Sequence, residues 1–186
     1  MKTLLARRYT VGYMFSEDLR HVLLVEKEKP AAQKGKLNGI GGKVETIDCE
    51  GPEQLFHRCV AREFEEETGV HTAPMEWVQF GVMKGSDWDC ALLTCVSNQI
   101  WLSESPTSER IHRVHTDHVL GSFPPARMPL MGETLKIFQY DEHGGARRWM
   151  ELLPNVPAHV ALALLRLGQP DWFLGAVLEH GVDMGR

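Results

Sequence analysis

The chain has 186 residues, of which 43% are hydrophobic and 24% charged, and this composition suits a single globular domain over residues 1–186 with a sizeable core. A formal net charge of −5 disfavours a surface for nucleic-acid polymers, because binding a phosphate backbone needs a basic stripe. No run approaches the roughly eighteen apolar residues of a membrane span. The four cysteines lack the spacing of a disulfide framework, which indicates reduced thiols and a cytoplasmic protein.

The first predicted elements are two strands and a charged loop. Residues 9–15 are rich in β-formers and residues 21–25 form a short apolar run, so together they predict a hairpin. Residues 26–36 are charged and contain Pro30 and Gly35, which indicates a loop at the rim of a site. Its lysines either meet phosphates there or are solvated: Lys27, Lys29, Lys34 and Lys36.

A glycine-rich turn follows at residues 37–44, with the sequence Leu-Asn-Gly-Ile-Gly-Gly-Lys-Val. Gly41 lets the backbone approach a ligand closely, because it has no side chain. Asn38 has two roles open to it. Its amide offers a donor and an acceptor side by side, as needed to read the edge of a base, or it supports the turn before Gly39.

Residues 55–68 predict a helix, in which the apolar side chains form one stripe at about 100° per residue. Glu63, Glu66 and Glu67 continue that stripe, as i, i+3, i+4 spacing requires, so the sequence predicts that they point inward. The opposite, exposed face is predicted to hold Gln54, His57, Arg58, Ala61, Glu65 and Thr68.

Three inward carboxylates are costly unless a cation compensates their charge. Oxygen ligands without an accompanying His or Cys favour a hard divalent ion, Mg²⁺ first and Mn²⁺ as a substitute. A run of glutamates on a solvated helix face is the alternative. Because only Glu65 of the four glutamates projects outward, the pattern favours a metal site formed by Glu63, Glu66 and Glu67.

The middle of the chain predicts further strands. Residues 76–83 and 90–96 are apolar, and they flank a turn at residues 85–89. Trp88 in this turn either stacks on a base or packs on its own protein. Residues 97–125 contain three prolines and predict an irregular insertion, a type of loop that often sets substrate choice.

The insertion also carries histidines at every third position, His112, His115 and His118. This spacing spreads the three rings over a helix, and no second cluster of ligands accompanies them, so the sequence does not predict a zinc site. Glu104 and Glu109 are candidates to complete the shell of the carboxylate-bound metal.

The C-terminal part predicts two strands and a helix. Residues 133–140 alternate as a strand does, and residues 148–153 follow after a pair of glycines. Asn155 is the expected cap of a helix over residues 158–167. Residues 169–186 form a C-terminal extension, for which the sequence predicts a short helix covering the core, with a homodimer contact as the alternative.

Two of these segments resemble the signature of the Nudix hydrolases, which runs Gly, five residues, Glu, seven residues, Arg-Glu-aliphatic-any-Glu-Glu-any-Gly-aliphatic. Residues 62–70 match its second half and residues 41–45 match its opening. The resemblance implies an α/β fold over residues 8–168, the Nudix-type α/β/α sandwich around a mixed β-sheet. It also implies that the three glutamates are the principal metal ligands, joined by the carbonyl of Gly41.

The resemblance implies roles for neighbouring side chains as well. Glu63 or Glu67 serves as the general base, although a metal-bound carboxylate is a weak base and an outer residue is the alternative. Arg62 projects beside Glu66 and orients the glutamates, and Lys43 reaches the phosphates.

The sequence departs from the signature between its two halves. Gly42 and Arg62 are twenty positions apart where the signature has fourteen, so about six extra residues lengthen the loop 46–51 and the start of the helix. Counting back from Arg62 leads to Gln54, so the first signature Glu is absent by strict spacing. The candidates to replace it are Glu45, Glu50 and Glu53.

Residues 37–44 resemble the Asn-Gly-Phe-Gly-Gly-Lys-Val stretch of Nudix hydrolases that clear oxidised purine nucleoside triphosphates, in which the counterpart of Asn38 reads the base edge. Leu37 stands where those enzymes have Trp. The resemblance implies a Mg²⁺-dependent enzyme that cleaves nucleoside triphosphates, with 8-oxo-dGTP as a candidate, to monophosphate and pyrophosphate. The alternatives are a dinucleotide or sugar nucleotide, such as NADH or ADP-ribose, and a regulator that binds nucleotides without catalysis.

Overall fold

The computed structural model describes residues 7–49, 54–121, 135–139 and 148–169. Within these ranges the strands are β1 Arg7–Phe15, β2 His21–Glu26, β3 Lys36–Asn38, β4 Val78–Lys84, β5 Trp88–Val96, β6 Arg110–His115, β7 Leu135–Gln139 and β8 Arg148–Leu152. The helices are α1 Leu55–Thr68, α2 Thr116–Gly121 and α3 Val156–Arg166. Short 3₁₀ turns lie at Thr46–Cys49, Pro74–Glu76 and Asn98–Leu102.

The strands form one mixed sheet in the order β4-β5-β1-β2-β3-β8-β7, and β6 pairs with β2. β1 runs parallel to β5 along its whole length and β3 runs parallel to β8, whereas the other ladders are antiparallel. The predicted hairpin of β1 and β2 is present but short. Phe15 lies opposite Val22, and from there β1 follows β5 while β2 follows β6.

Two buried cores cover the two faces of the sheet, because successive side chains of a strand point to opposite faces. In β1, Tyr13 and Phe15 belong to one core and Met14 belongs to the other. Helix α3 closes the first core with Val160, and helix α1 closes the second with Phe64. The fold is therefore an α/β/α sandwich around a mixed sheet, which confirms the prediction from the sequence.

Helix α1 occupies the range that the sequence predicts. Gly69 ends it in the left-handed conformation, with φ 72°, and its N–H donates to the carbonyl of Glu65 at 2.8 Å. Two residues predicted for the exposed face, Ala61 and Thr68, are instead buried. The first two 3₁₀ turns pack against α1 in addition to β1, so the covered face is wider than the apolar stripe.

The prediction of an irregular insertion is wrong for the described residues 97–121. They hold the third 3₁₀ turn, helix α2 and strand β6, which pairs with β2 over six residue pairs. The apolar pattern does not reveal this strand, because several of its residues are polar and have specific partners. His112 contacts Glu26 at 3.1 Å between Nε2 and Oε2, and the Nε of Arg113 donates to the carbonyl of Ile100 at 2.7 Å.

The last described elements follow the prediction closely. β7 and β8 lie within the predicted strands, and α3 begins two residues earlier than expected. Asn155 stands at the N-cap position of α3, although its side chain makes no capping hydrogen bond. Residues 170–186, for which a covering helix or a homodimer contact was predicted, lie outside the described ranges. No helix in the described ranges is both long and apolar enough to cross a bilayer.

Candidate active site

A cavity of about 490 Å³ lies beside the glycine-rich turn, a size typical of small-molecule sites. Four residues predicted for the site line it: Asn38, Gly41, Lys43 and Trp88. Its other walls come from β1, the loop after β2, the β4–β5 pair and the start of α3, and they include Tyr9, Val11, Lys27, Met83, Leu153 and Asn155. Segments that are remote in the sequence therefore share one cavity.

The glycine-rich turn lies between strand β1 and helix α1. The N–H of Thr10 donates to the carbonyl of Gly42 at 2.9 Å, which ties the turn to β1. Gly41 has a positive φ of 156°, and a side chain there would collide with the backbone of Thr10. A methyl group on Gly42 would lie 2.5 Å from the carboxyl carbon of Glu63. The missing side chains thus let the turn sit directly against a predicted ligand.

Asn38 makes the turn contact that the sequence offers as one of its two roles. Its Oδ1 accepts a hydrogen bond from the N–H of Gly39 at 2.8 Å. Because the same side chain lines the cavity, its position also suits a contact with a bound base.

Glu63 and Glu67 point inward from α1, as predicted. Their side chains are only 14% and 13% exposed. Burial raises the pKa of the Glu63 carboxyl, and it raises that of Glu67 to about 7 against the opposing attraction of Lys27. One oxygen of Glu67, Oε2, is buried and has no hydrogen-bond partner. A buried acceptor of this kind is expected to face a ligand or an ion.

Lys27 and Glu109 join this pair from two other segments. The ammonium of Lys27 lies 3.5 Å from Oε1 of Glu67 and 2.5 Å from Oε2 of Glu109. The backbone N–H of Glu28 donates to the second oxygen of Glu109 at 2.9 Å. Of the two extra glutamates named from the sequence, the structure brings Glu109 to the site, while Glu104 is exposed.

Glu66 differs from its two neighbours on the helix. Its side chain is 56% exposed, and it pairs with Arg62 at 3.1 Å, one helical turn earlier. The predicted inward projection of Glu66 is therefore wrong in this state of the protein. The angular spacing places Glu66 at the edge of the stripe, and the ion pair holds it on the outer side.

Arg62 contacts the carboxylates of Glu63 and Glu66 directly, and it is itself held by Asp48, a residue that the sequence interpretation missed. Its Nε and one terminal nitrogen donate to the two oxygens of Asp48 at 3.1 and 3.0 Å, and the latter nitrogen also lies 3.0 Å from Glu63. Asp48 is only 2% exposed. Burial opposes its ionisation, but the hydrogen bonds from Arg62 and from the N–H of Glu45 outweigh this and lower the pKa of Asp48.

Asp48 stands at the position of the first signature glutamate. It follows Gly42 after five residues, which is the signature spacing counted forward, so the six extra residues lie after it. Counting back from Arg62 passes through the six extra residues, so that count leads to Gln54 and misses Asp48. Of the candidates named from the sequence, Glu45 is exposed, and Glu50 and Glu53 lie outside the described ranges.

Residues 7–49, 54–121, 135–139 and 148–169 contain no group of three or more His, Cys, Asp or Glu side chains already arranged around one metal position. The chemistry of the carboxylates nevertheless fits a hard cation. They offer oxygen donors, Oε2 of Glu67 lacks a partner, and the position beside Glu67 and Glu109 holds the positive charge of Lys27. Glu67 interacts electrostatically with two further carboxylates, those of Glu63 and Glu109.

Lys43 and Trp88 differ in their contacts with the rest of the protein. Lys43 is exposed, and its backbone carbonyl accepts a hydrogen bond from Arg62 at 3.1 Å. Trp88 opens β5 instead of lying in the turn, and its ring packs over Gly85, where a methyl group would have no room. Trp88 therefore packs on its own protein and also lines the cavity.

The three histidines of the 97–125 segment do not share one helix. His112 and His115 lie in β6, whereas His118 lies in α2. The ring of His115 is 5.5 Å from that of His118 and 5.3 Å from that of His21, between centroids. These rings lie outside the cavity lining, so they belong to the packing of β2, β6 and α2.

No family model and no curated protein matches this sequence. Solved structures of similar fold include a MutT from work on the Aliivibrio salmonicida and Vibrio cholerae proteins, with 16% identity and a TM-score of 0.53, over 86% of this chain and 98% of that one. A MutT/nudix family protein from Enterococcus faecalis has 13% identity and a TM-score of 0.57, over 91% of this chain and 68% of its own. The chain therefore has the Nudix fold, as its signature residues predict.

Proposed function

We propose that this protein is a Mg²⁺-dependent Nudix hydrolase that cleaves nucleoside triphosphates to a monophosphate and pyrophosphate, with Mn²⁺ as a substitute metal. One observation supports this most directly. Glu63 lies against Gly42 and Glu67 pairs with Lys27, both Gly42 and Lys27 line the 490 Å³ cavity, and one oxygen of Glu67 is buried without a partner.

The residues that would hold the metal are Glu63, Glu67 and Glu109, joined by the carbonyl of Gly41 and by Glu66 if it leaves Arg62. When bound, a divalent ion neutralises phosphate oxygens and lowers the pKa of a water molecule. Asp48 and Arg62 fix the orientation of Glu63, as supporting contacts do in metal sites.

In the proposed reaction, the oxygen of one water molecule bonds to phosphorus, the bridging P–O bond breaks, and pyrophosphate leaves. The chain positions the substrate and compensates its charge, which is most of what phosphoryl transfer requires. Lys27, Lys29 and Lys43 line the cavity and supply positive charge there. Glu63 or Glu67 is the proposed general base, and a residue outside the metal shell is the alternative, because a metal-bound carboxylate is a weak base.

The residues that line the cavity favour a purine nucleotide as the proposed substrate, with 8-oxo-dGTP as the candidate. Asn38 and Asn155 both line it, and each amide offers a donor and an acceptor. Trp88, Tyr9 and Met83 supply apolar surface for a base. A dinucleotide, a sugar nucleotide and a purely regulatory ligand are the competing possibilities, and activity on a substrate panel separates them. We place the protein in the cytoplasm, which its four disulfide-free cysteines support.

The test is release of phosphate or pyrophosphate from dGTP, 8-oxo-dGTP, the other triphosphates, ADP-ribose and NADH, each with Mg²⁺ and with EDTA. Glu67→Gln keeps the shape of the side chain and removes the ligand charge. Glu65→Gln is the matched control, because Glu65 lies on the same helix with its side chain 53% exposed. Activity that needs Mg²⁺, survives Glu65→Gln and falls by about a hundredfold or more in Glu67→Gln is expected.

Three outcomes decide between the possibilities. A preference for 8-oxo-dGTP that Asn38→Ala removes supports the oxidised purine. Turnover of only ADP-ribose or NADH keeps the metal site and replaces the substrate. Nucleotide binding without any turnover refutes the enzyme and supports a regulator.

A further inference from the structure

Lys27 is an unusual neighbour for a metal site. It follows the last residue of β2, and its side chain is only 14% exposed. An ammonium taken this far out of water needs partners, and Lys27 pairs with the carboxylates of Glu67 and Glu109. Lys27 thus supplies the positive charge for the same oxygens that the proposed function assigns to a divalent ion.

The backbone around this ion pair is fixed. The N–H of Lys27 donates to the carbonyl of Lys36 at 3.0 Å, and its carbonyl accepts from the N–H of Gly35 at 2.8 Å. Glu109 is held by the N–H of Glu28. An exchange of partners by Lys27 therefore requires rotation of its flexible side chain only, with no movement of the loop.

Lys27 also lines the cavity, so its side chain borders both the carboxylates and the space for a substrate. A divalent ion bound to Glu67 and Glu109 would repel the ammonium, because like charges a few ångströms apart cannot share one pair of ligands. The cavity is where the displaced ammonium can remain partly desolvated and meet negative charge.

We infer that Lys27 is an exchangeable counter-ion: it neutralises Glu67 and Glu109 before a metal binds, and on metal binding it turns into the cavity and contacts the phosphate chain of the substrate. This inference rests on the proposed function. Lys27 then competes with the metal for Glu67 and Glu109, so without substrate the metal binds less tightly than it would to the same carboxylates in the absence of Lys27. Once the metal is bound, Lys27 contacts the polyphosphate.

The first measurement is a calorimetric Mn²⁺ titration of the whole chain without nucleotide. Lys27→Met removes the charge and keeps much of the side-chain volume, whereas Lys27→Arg keeps the charge. Lys34→Met is the control for net charge, since Lys34 lies in the same loop with its side chain 66% exposed. We expect Lys27→Met to bind Mn²⁺ about tenfold more tightly than the wild type, and the other two variants to match the wild type.

The second measurement is binding of inorganic triphosphate at saturating Mg²⁺, which tests the phosphate contact without depending on the base. Lys27→Met is expected to bind it about tenfold more weakly than the wild type and Lys34→Met. Circular dichroism checks the fold, and Lys27→Gln replaces Lys27→Met if the latter fails to fold.

Mn²⁺ affinity that is unchanged or lower in the neutral Lys27 variants overturns the competition, and unchanged or undetectable triphosphate binding overturns the transfer to phosphate. A wild type that binds no more Mn²⁺ than Glu67→Gln does is a different result, because it refutes the proposed metal site itself. Failure of the inference and failure of the proposed function are therefore separate observations.

Discussion

Glu67 should make the stability of the metal-free protein depend on pH in a defined direction. Its folded pKa is about 7, against an ordinary value of 4.5, because burial disfavours the charged form. A raised carboxyl pKa contributes stability that is present below the unfolded value and is lost as the pH rises through the folded value. A rise from pH 5 to pH 8 should therefore lower the free energy of unfolding by about 2 to 3 kcal/mol through this group.

Urea unfolding in EDTA at these two pH values measures the effect. Glu67→Gln has no group to ionise, so its stability should lack this loss and exceed that of the wild type at the higher pH. Adding Mg²⁺ should restore the stability of the wild type at the higher pH and leave Glu67→Gln unchanged, because only the former offers the charged ligand. Parallel pH profiles for the two proteins in EDTA would refute the reasoning.

Two further predictions concern the support of the site. Asp48→Asn should lower the free energy of unfolding by about 3 kcal/mol in chemical denaturation, because it leaves the guanidinium of Arg62 without its buried counter-charge. Asp48→Glu keeps the charge and should lower it less. Equal stability of the wild type and Asp48→Asn would contradict this. Gly42→Ala should weaken Mn²⁺ binding about tenfold or more by pressing on the carboxylate of Glu63, whereas Gly121→Ala, where a methyl group meets nothing within 4 Å, should not. Equal Mn²⁺ affinities for the two alanine variants would count against the close approach.

The parts of the fold that local patterns determine could be predicted from the sequence. The apolar stripe and Gly69 gave the bounds of α1, and alternation gave most of the strands. Strand β6 was missed because an apolar pattern detects burial against a core, and in β6 only Val114 is fully buried. Its other residues are held by specific polar contacts, which leave no periodic signal.

The candidate site shows the same limit. The spacing of Glu63 and Glu67 is local, so the sequence predicts their direction. Lys27 and Glu109 are 82 positions apart and come together only because β2 pairs with β6. No local sequence pattern predicts that contact. Asp48 was within reach of the sequence, because its distance from Gly42 keeps the signature spacing.

The ladder between β2 and β6 limits which length changes this chain can accept. Glu26 lies opposite Arg110, so Lys27 and Glu109 are the next residues outward on the two strands. Side chains alternate along a strand, and the insertion or deletion of one residue in β6 would turn Glu109 to the other face of the sheet. Relatives that retain Lys27 and Glu109 are therefore expected to keep the length of β6 constant and to differ in length among the exposed residues 104–108.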